Sequence, residues 1–332
     1  MTEMREGPSP ATVIEVSEGI LWARMPLPFA LDHVNLWLLR DGDGWAVVDT
    51  GMGDDRTKAL WEGLLAGPLE DRPLTRVIST HFHPDHMGLA GWLCPRFGIP
   101  LTATQGEWSA GRLDWLDEDH RHLRDHYRKA GCDDAFLLRV GNTYRPRVVP
   151  IPPSFSRIAD GERLAIGGRE WVVMTFGGHS PEHACLWCPQ AGVLIAGDQM
   201  LPRISPTVGV WPREPDAEPL SRFLAGLERL QALPASTLVL PSHDWPFATL
   251  HQRCAQLRIH HIKRLRQTRA CCARPATASQ VLATLFPRPL DDHQTTFAVA
   301  ETLAHLNHLV GTGELRRVGH GQDDAPWSFA AS

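Results

Sequence analysis

The sequence predicts an α/β fold with a small, mainly helical C-terminal domain, and three observations support this prediction. First, several short apolar runs of strand length end at a Gly or Pro breaker, such as Trp171–Phe176 before Gly177. Second, helical patterns alternate with these runs, as at 56–65 and 87–97. Third, strand signals become rare after Leu250. Three helical stretches follow, at about 249–271, 277–286 and 294–310.

The elements before the first polar cluster are predicted from local signals. Residues 12–80 should alternate short strands with one helix near Arg56–Leu65, which begins beside two aspartates, where negative charge is favoured. Residues 87–97 are expected to be helical, and Pro100–Ala103 should form the next strand. In the tail, Glu314–Val318 is expected to form a short β-wing.

A long insertion is predicted over residues 105–160. Its first part, Trp108–Lys129, carries apolar residues at helical spacing among mixed acids and bases, which favours a helix packed on the core. The alternative is a lid over the site described next, with basic side chains that meet an acidic substrate. These side chains are Arg112, Arg121, Arg124, Arg128 and Lys129.

Four potential metal ligands stand within six positions after the apolar run 77–80. They are His81, His83, Asp85 and His86. Imidazole nitrogen and carboxylate oxygen suit zinc or a similar first-row ion. In an extended segment, alternate side chains point the same way, so the first two histidines should face one direction. Pro84 then turns the chain, and the last two ligands can approach from another side. This arrangement favours two adjacent metals.

Further ligand-type residues follow other predicted strands. His179 and His183 follow the strand that ends at Phe176, and single ligands follow the strands near 192–197 and 237–242. Each case alone is typical of a capped turn, but together with the first cluster they form a set of seven candidate ligands. The set is His81, His83, Asp85, His86, His179, Asp198 and His243.

These motifs resemble, in order and context, the signature of metallo-β-lactamase-fold hydrolases. The matching segments are His81–His86, Gly178–Pro181, Gly197–Asp198 and Ser242–His243, with Asn35–Leu39 and Trp45–Gly51 upstream. Among subgroups, the chain looks like glyoxalase II and the lactamase-beta-2-like proteins. The resemblance implies a four-layer αβ/βα sandwich in a catalytic domain over residues 1–248, with the helical insertion at 105–160. It also implies a winged-helix-like domain over 249–332.

The resemblance also implies roles for the site residues. One metal would be held by His81, His83 and His179. The other would be held by Asp85, His86 and His243, with Asp198 bridging both. Asp85 would also serve catalysis by orienting the nucleophile or relaying a proton. Asp49 and His183 match family positions that orient ligands, although a structural turn role is equally consistent with Asp49. Two zinc ions are expected, with iron or manganese as alternatives.

The implied activity is that of a dinuclear-zinc hydrolase in which a metal-bridging hydroxide attacks a carbonyl ester, such as a thioester or lactone of a small molecule. A metal-dependent endoribonuclease and a mono-iron sulfur dioxygenase are the alternatives. The sequence disfavours nucleic acid as a partner, because the helix at 294–310 holds no Lys or Arg and the formal net charge is −5. The tail is instead expected to cap the structure or to join a homodimer.

Composition indicates how large a core the chain can bury and where in the cell it is expected. With 332 residues, 43% of them hydrophobic, the chain can bury a substantial core. No apolar run approaches the ~20 residues that span a bilayer, so no membrane association is expected. The start lacks the pattern of a signal peptide, and seven cysteines are an odd number that suits reduced thiols. The expected location is therefore the cytoplasm.

Overall fold

A computed structural model of the chain describes residues 6–116, 121–143, 149–318 and 325–332. The chain divides into two compact units, each assembled from three segments. The first unit contains Met1–Leu116, Pro146–Pro206 and Gln231–Arg253. The second contains Asp117–Arg145, Thr207–Leu230 and Cys254–Ser332.

The described part of the first unit contains a seven-stranded sheet whose spatial order follows the chain. Its first four strands are antiparallel, and the fourth to the seventh are parallel. The strands are β1 (Ile14–Ser17), β2 (Ile20–Pro26), β3 (His33–Asp41), β4 (Gly44–Val48), β5 (Leu74–Ile78), β6 (Leu101–Ala103) and β7 (Phe155–Arg157).

A second, five-stranded sheet of the same unit carries the remaining predicted strands. Its strands are β8 (Arg163–Ile166), β9 (Arg169–Phe176), β10 (His183–Cys188), β11 (Val193–Gly197) and β12 (Leu238–Pro241). Only β11 and β12 are paired in parallel. Apolar side chains of both sheets form one buried cluster, which includes Trp22, Trp37 and Trp171. The two sheets therefore face each other across a shared core.

Helices cover the other face of the seven-stranded sheet. They are α1 (Asp55–Ala66), α2 (Pro84–Met87), α3 (Ala90–Phe97) and α4 (Gln105–Leu116). Trp61 and Leu93 from two of these helices are buried in one cluster with Val47 and Val77 of the sheet. The side chain of Asp54 caps α1 by accepting the N–H of Thr57 at 2.7 Å, as the aspartates before this helix predict.

Strand ends of both sheets meet at one place. The loop after β4 is held to β5 by the N–H of Asp49, which donates to the Ile78 carbonyl at 2.8 Å. The loop after β12 is held to the end of β11 by Ser242 N–H, which donates to the Gly197 carbonyl at 3.1 Å. The N–H of Ala184 in β10 donates to the Thr80 carbonyl at 2.8 Å and so joins the two sheets. Polar residues after these strands are therefore gathered at one edge of the sandwich.

The second unit is mainly helical, with a small three-stranded sheet in its described part. The helices wholly or largely within it are α5 (Arg121–Lys129), α6 (Asp134–Thr143), α7 (Pro219–Gln231), α8 (Leu250–Cys271), α9 (Ala278–Leu285) and α10 (Asp292–Gly311). Its strands are β13 (Ala276–Thr277), β14 (Leu315–Val318) and β15 (Ser328–Ala331). The three helices and the short wing expected in the tail are α8, α9, α10 and β14, so these predictions are confirmed.

Two predicted elements differ from the structure. The single helix expected over 87–97 is two helices, because α2 already begins at Pro84, which suits the first helical position, and a break at 88–89 precedes α3. The helix expected over Trp108–Lys129 is also divided, into α4 and α5, with 117–120 outside the described residues. Tyr127 of α5 is fully buried, and its hydroxyl donates to the Thr296 carbonyl at 3.4 Å, so α5 packs on α10 within the second unit.

Two further findings concern membrane-spanning helices and disulfide bonds. Among the described residues, no helix combines the length and apolarity that a membrane span requires. None of the seven cysteines, all of which lie in described segments, forms a disulfide.

Candidate metal centre

Three histidine ring nitrogens converge where the loop after β5 meets the loop after β9. Nε2 of His81 lies 3.0 Å from Nδ1 of His83, and Nε2 of His179 lies 3.2 Å and 3.1 Å from these two atoms. Zinc at ~2.0–2.1 Å from each of three tetrahedral nitrogen ligands would set them about 3.3 Å apart. The spacing of this first ligand set, His81, His83 and His179, therefore suits one ion.

The protonation of the first set favours metal binding. Burial, followed by the nearby His86, holds the pKa of His81 well below its usual value. Burial and the neighbouring His179 lower the pKa of His83 to about 3. Imidazoles with such pKa values are neutral at neutral pH, and a neutral imidazole offers the lone pair that a metal requires.

A second ligand set is formed by Asp85, His86 and His243. The carboxylate oxygen Oδ2 of Asp85 lies 3.4 Å from Nε2 of His86 and 3.7 Å from Nε2 of His243. Asp85 and His86 occupy the first turn of α2, which begins at Pro84, and His243 follows β12. Pro84 therefore redirects the chain between the first and second sets, as the sequence predicts.

The carboxylate of Asp198 lies between the two sets. Its Oδ2 is 3.4 Å from Nε2 of His179, in the first set. Its Oδ1 is 3.3 Å from Nε2 of His243 and 3.7 Å from Nε2 of His86, in the second set. All seven residues expected as ligands are thus brought together, and Asp198 has the position of a shared ligand.

Opposite charges face one another in the second set and at Asp198. Burial alone would raise the pKa of Asp85, but His86 and His243 together outweigh it and the pKa falls to about 2. Burial would likewise raise the pKa of Asp198, but His243 and His86 hold it well below its usual value. Burial would lower the pKa of His86, yet the carboxylates of Asp85, Asp49 and Asp198 raise it. The second set is therefore an array of opposite charges, with its carboxylates ionised and ready to bind a cation.

Two atoms at this place test whether a cation fits. Nε2 of His86 and Oδ1 of Asp198 are buried and have no hydrogen-bond partner among the described residues. A buried polar atom without a partner costs about 1–3 kcal/mol, so such atoms call for an explanation. Both belong to the converging set of nitrogen and oxygen donors that first-row divalent ions prefer. The residues present therefore fit a divalent metal.

Asp49 is hydrogen-bonded to His86 of the second ligand set and, through Thr80, is connected to His81 of the first. It follows β4 in the left-handed region, with φ +64, and its side chain is 1% exposed. Its carboxylate accepts from Nδ1 of His86 at 2.8 Å and from the N–H and hydroxyl of Thr80 at 2.8–3.0 Å. The Thr80 hydroxyl oxygen lies 3.0 Å from Nδ1 of His81. This network directs the Nε2 atoms of His81 and His86 toward the candidate metals.

His183 contacts the backbone of Asp198. Its Nε2 accepts the N–H of Asp198 at 3.1 Å, and burial, followed by His179, lowers its pKa well below the usual value. The neutral ring lies against Gly197, where an added Cβ would come within 2.5 Å of two ring atoms. His183 is thus positioned to fix the start of the Asp198 loop.

His243 is oriented by the backbone rather than by a carboxylate. Its Nδ1 donates to the carbonyl of His33 at 2.7 Å, which leaves Nε2 facing Asp198. The His33 ring in turn accepts the N–H of Asp244 at 2.9 Å. The start of β3 therefore sets the direction of the last ligand.

Glu107, a fully buried carboxylate of α4, also belongs to the site and was not predicted from the sequence. It contacts the loop of His81 and His83 and also the loop of His179. Phe82 and Ser180 lie 25 and 73 residues from Glu107 in the sequence, so no local pattern reveals these contacts. The only available signal was that Glu107 shares a helix face with Ala110 and Gly111, which are small residues typical of a packed interface.

The arginines expected in a lid have other contacts where the structure describes them. Arg112 donates to the Ile151 carbonyl at 3.1 Å, and Arg128 is paired with Asp125 in α5. The Lys129 ammonium lies 5.9 Å from the centre of the Trp327 ring. The side chain of Arg121 lies outside the described residues. A substrate contact of these side chains stays a prediction.

Two family models match the chain. The model described as the metallo-beta-lactamase superfamily matches residues 30–243. The model described as the metallo-beta-lactamase-like C-terminal domain matches residues 265–331. The first match spans the segments that carry all seven candidate ligands.

A crystal structure of a beta-lactamase domain protein from Burkholderia ambifaria is similar over the whole chain. It is 42% identical with a TM-score of 0.93, and the match covers 100% of this chain and 97% of that one. This likeness confirms the predicted sandwich fold with a mainly helical C-terminal region.

Two curated relatives are more distant in sequence. The probable metallo-hydrolase YqjP of Bacillus subtilis is 24% identical over 304 residues, which are 88% of this chain and 92% of the relative. The acyl-coenzyme A thioesterase MBLAC2 of Gallus gallus is 28% identical over 193 residues. That match covers 55% of this chain and 63% of the thioesterase.

Proposed function

The chain belongs to the metallo-beta-lactamase superfamily and is a metal-dependent hydrolase, and from this premise we propose that it uses two zinc ions to hydrolyse a carbonyl ester of a small molecule. We propose a thioester as the first substrate class and a lactone as the second. The observation that carries the proposal is the convergence of two three-residue ligand sets on the shared carboxylate of Asp198.

In this proposal each ligand set has its own task. His81, His83 and His179 hold one ion through three neutral nitrogens, and Asp85, His86 and His243 hold the other. When bound, such ions supply Lewis acidity and an activated water for attack on a carbonyl. Asp198 contributes one oxygen to each set, which keeps the two binding positions adjacent.

Asp85 is the residue that we propose to contact the attacking water. Its side chain is 20% exposed, more than that of His86, His243 or Asp198. With a pKa of about 2 it is ionised at neutral pH, so it accepts a hydrogen bond from a water and orients that water. Asp49 and His183 hold His86 and the Asp198 backbone in place and do not touch the substrate.

The thioester class is supported by the likeness to the acyl-coenzyme A thioesterase, which shares 28% identity with this chain. We further propose that nucleic acid is not the substrate. The described residues of α10 from 294 to 310 include no Lys or Arg, so this helix offers no charge to neutralise phosphates.

Metal analysis combined with a substrate panel tests the proposal. The purified protein should hold about two zinc per chain, and a chelator should abolish hydrolysis that added zinc restores. The panel would contain acyl-coenzyme A and acyl-glutathione thioesters, lactones, a cephalosporin and single-stranded RNA, assayed on one preparation. A Cys185→Ala variant is the matched control, because it removes a buried thiol near His183 that the proposed chemistry does not use.

Three results would overturn parts of the proposal. One iron per chain with oxygen-dependent turnover would indicate the sulfur dioxygenase. Salt-sensitive cleavage of RNA without esterase activity would indicate the nuclease. Loss of activity in both Cys185→Ala and the similarly sized Cys185→Ser, with metal content intact, would place the chemistry on a thiol.

A further inference from the structure

We propose that Glu107 is a positioning residue that sets the distance between the two loops of the first ligand set. The inference rests on the proposed function, since it assumes that His81, His83 and His179 hold a metal. Glu107 belongs to α4, outside all the segments that carry the seven ligands.

The two oxygens of the Glu107 carboxylate hold different loops. Oε2 accepts the N–H of Phe82 at 3.0 Å, and Phe82 lies between the ligands His81 and His83. Oε1 accepts the hydroxyl of Ser180 at 2.7 Å, and Ser180 directly follows the ligand His179. One carboxylate group therefore spans the gap that a metal in the first set must bridge.

A third contact fixes the far end of the same loop. Oε1 of Glu107 also accepts the N–H of Glu182 at 2.6 Å. Glu182 is followed by His183, the residue whose ring holds the Asp198 backbone. The loop from His179 to His183 is thus tied to α4 at both Ser180 and Glu182.

The chemistry of these contacts suits a carboxylate. Three described groups donate to Glu107: two backbone N–H groups and a hydroxyl. A carboxylate is acceptor-only and matches them. A glutamine of the same shape would turn its NH₂ group toward one of the donors, because only one of its two terminal atoms accepts a hydrogen bond.

The second ligand set is held by other groups. Asp49 orients His86, and the His33 carbonyl orients His243. The hydrogen bonds of Glu107 described above reach neither of these ligands. Loss of the Glu107 charge should therefore weaken the first set selectively, whereas general unfolding would weaken both.

The test is a metal titration of Glu107→Gln. Metal-free protein would be titrated with Zn²⁺ against a chromophoric chelator, and the visible spectrum of the Co²⁺-loaded protein would be recorded. Substitution of a group that orients a metal ligand typically reduces metal affinity 10–100-fold. We expect a loss of about that size in one of two binding steps, no change in the other, and a changed Co²⁺ spectrum.

Single-site backgrounds assign the weakened step. In His243→Ala, which disrupts the second set, Glu107→Gln should still weaken the remaining site. In His179→Ala, which disrupts the first set, it should have no effect. Glu62→Gln is the matched control, because its exposed carboxylate in α1 is paired with Arg96 at 2.8 Å.

A milder variant covers the case in which Glu107→Gln fails to fold. Ser180→Ala removes one of the three donors and should weaken the same step by a smaller factor, with the thermal midpoint of the metal-free protein little changed. Equal weakening of both steps, or unchanged affinities in both variants while wild type binds two ions, would refute the role of Glu107 alone. A wild-type chain that takes up no metal would instead refute the proposed function.

Discussion

The Asp49 carboxylate accepts a hydrogen bond from Nδ1 of His86 at 2.8 Å, and both side chains are almost completely buried. In the neutral imidazole this contact holds the proton on Nδ1, so a cation that displaces the second proton of the ring would find a lone pair on Nε2. The buried Nε2 faces the carboxylates of Asp85 at 3.4 Å and Asp198 at 3.7 Å without a hydrogen bond, and this direction suits a metal ligand.

Asp49→Asn tests this relationship. The amide keeps the volume of Asp49, but its NH₂ group faces either His86 or the N–H of Thr80, both of which donate to the native carboxylate. An imidazole that instead accepts at Nδ1 carries its proton on Nε2 and cannot bind a metal there. We expect a roughly 10–100-fold loss of metal affinity in the second set, measured by chelator competition.

The control for Asp49→Asn is the stability of the metal-free protein. If the thermal midpoint of the metal-free variant falls far below that of wild type, the change acts on the fold and not on the ligand. Unchanged zinc affinity in a folded variant would contradict the assigned role of Asp49.

Asp198→Ala tests the shared ligand. The Asp198 carboxylate lies 3.3–3.7 Å from histidine nitrogens of both sets. Its removal should lower zinc content and reduce hydrolysis by orders of magnitude, while the circular dichroism spectrum is retained. Asp216→Ala, which removes an exposed carboxylate paired with Arg317 in the second unit, is the control and should leave both quantities unchanged. Two tightly held ions in an active Asp198→Ala variant would overturn the assignment.

The seven candidate ligands could be identified from the sequence because each stands within three positions after an apolar strand or in one dense cluster. His81, His83, Asp85 and His86 lie within six positions, so local spacing alone carries the information. The apolar strand that ends directly before Asp198 can likewise be recognised from the sequence. The structure brings these residues together because the strands of both sheets end at the same edge.

The remaining parts of the site could not be predicted, because they depend on contacts between distant segments. Glu107 meets Ser180 across 73 residues, and His243 meets the His33 carbonyl across 210. Neither Glu107 nor His33 stands in a distinctive local pattern, because a Glu in a helix and a His at the start of a strand are common. The division of the predicted helix at 87–97 was missed for a different reason: Pro84 starts α2 within the ligand loop itself.

Gly197→Ala tests the contact between His183 and the Asp198 loop. Gly197 has φ +52, and an added Cβ would meet the His183 ring at 2.5 Å and Cβ of Thr80 at 3.1 Å. The ring must then move away from the Asp198 N–H that it accepts at 3.1 Å. We expect a loss of about 2–4 kcal/mol in the free energy of unfolding, from the left-handed backbone and from the overpacking together.

Gly192→Ala is the matched control at the other end of β11. Gly192 has φ +64 and no heavy atom within 4 Å of an added Cβ, so only the backbone cost of about 1–2 kcal/mol applies. Both variants would be compared by urea denaturation of the metal-free protein. Equal losses in the two variants would mean that the close approach to His183 does not contribute.

Glu301→Gln tests a pH dependence of stability in the second unit. Burial raises the pKa of Glu301 to about 7 from an ordinary value of 4.5, although the positive charge of Arg264 opposes the shift. Between these two values the folded chain binds a proton that the unfolded chain has lost. The free energy of unfolding should therefore fall as the pH rises from about 4.5 to about 7. Because the Glu301 side chain is partly exposed, we expect this fall in the free energy of unfolding to be about 1–3 kcal/mol.

Comparison of Glu301→Gln with wild type separates the contribution of Glu301 from those of nearby histidines. Burial lowers the pKa of His261 to about 2 and that of His305 to about 4, and these groups give the opposite slope below pH 6.5. The difference in unfolding free energy between Glu301→Gln and wild type cancels their effect to first order. That difference should favour the variant increasingly from pH 4.5 to 7 and stay constant above pH 7, as measured by urea denaturation at each pH. A difference that does not change with pH would mean that Glu301 titrates alike in the folded and unfolded chain.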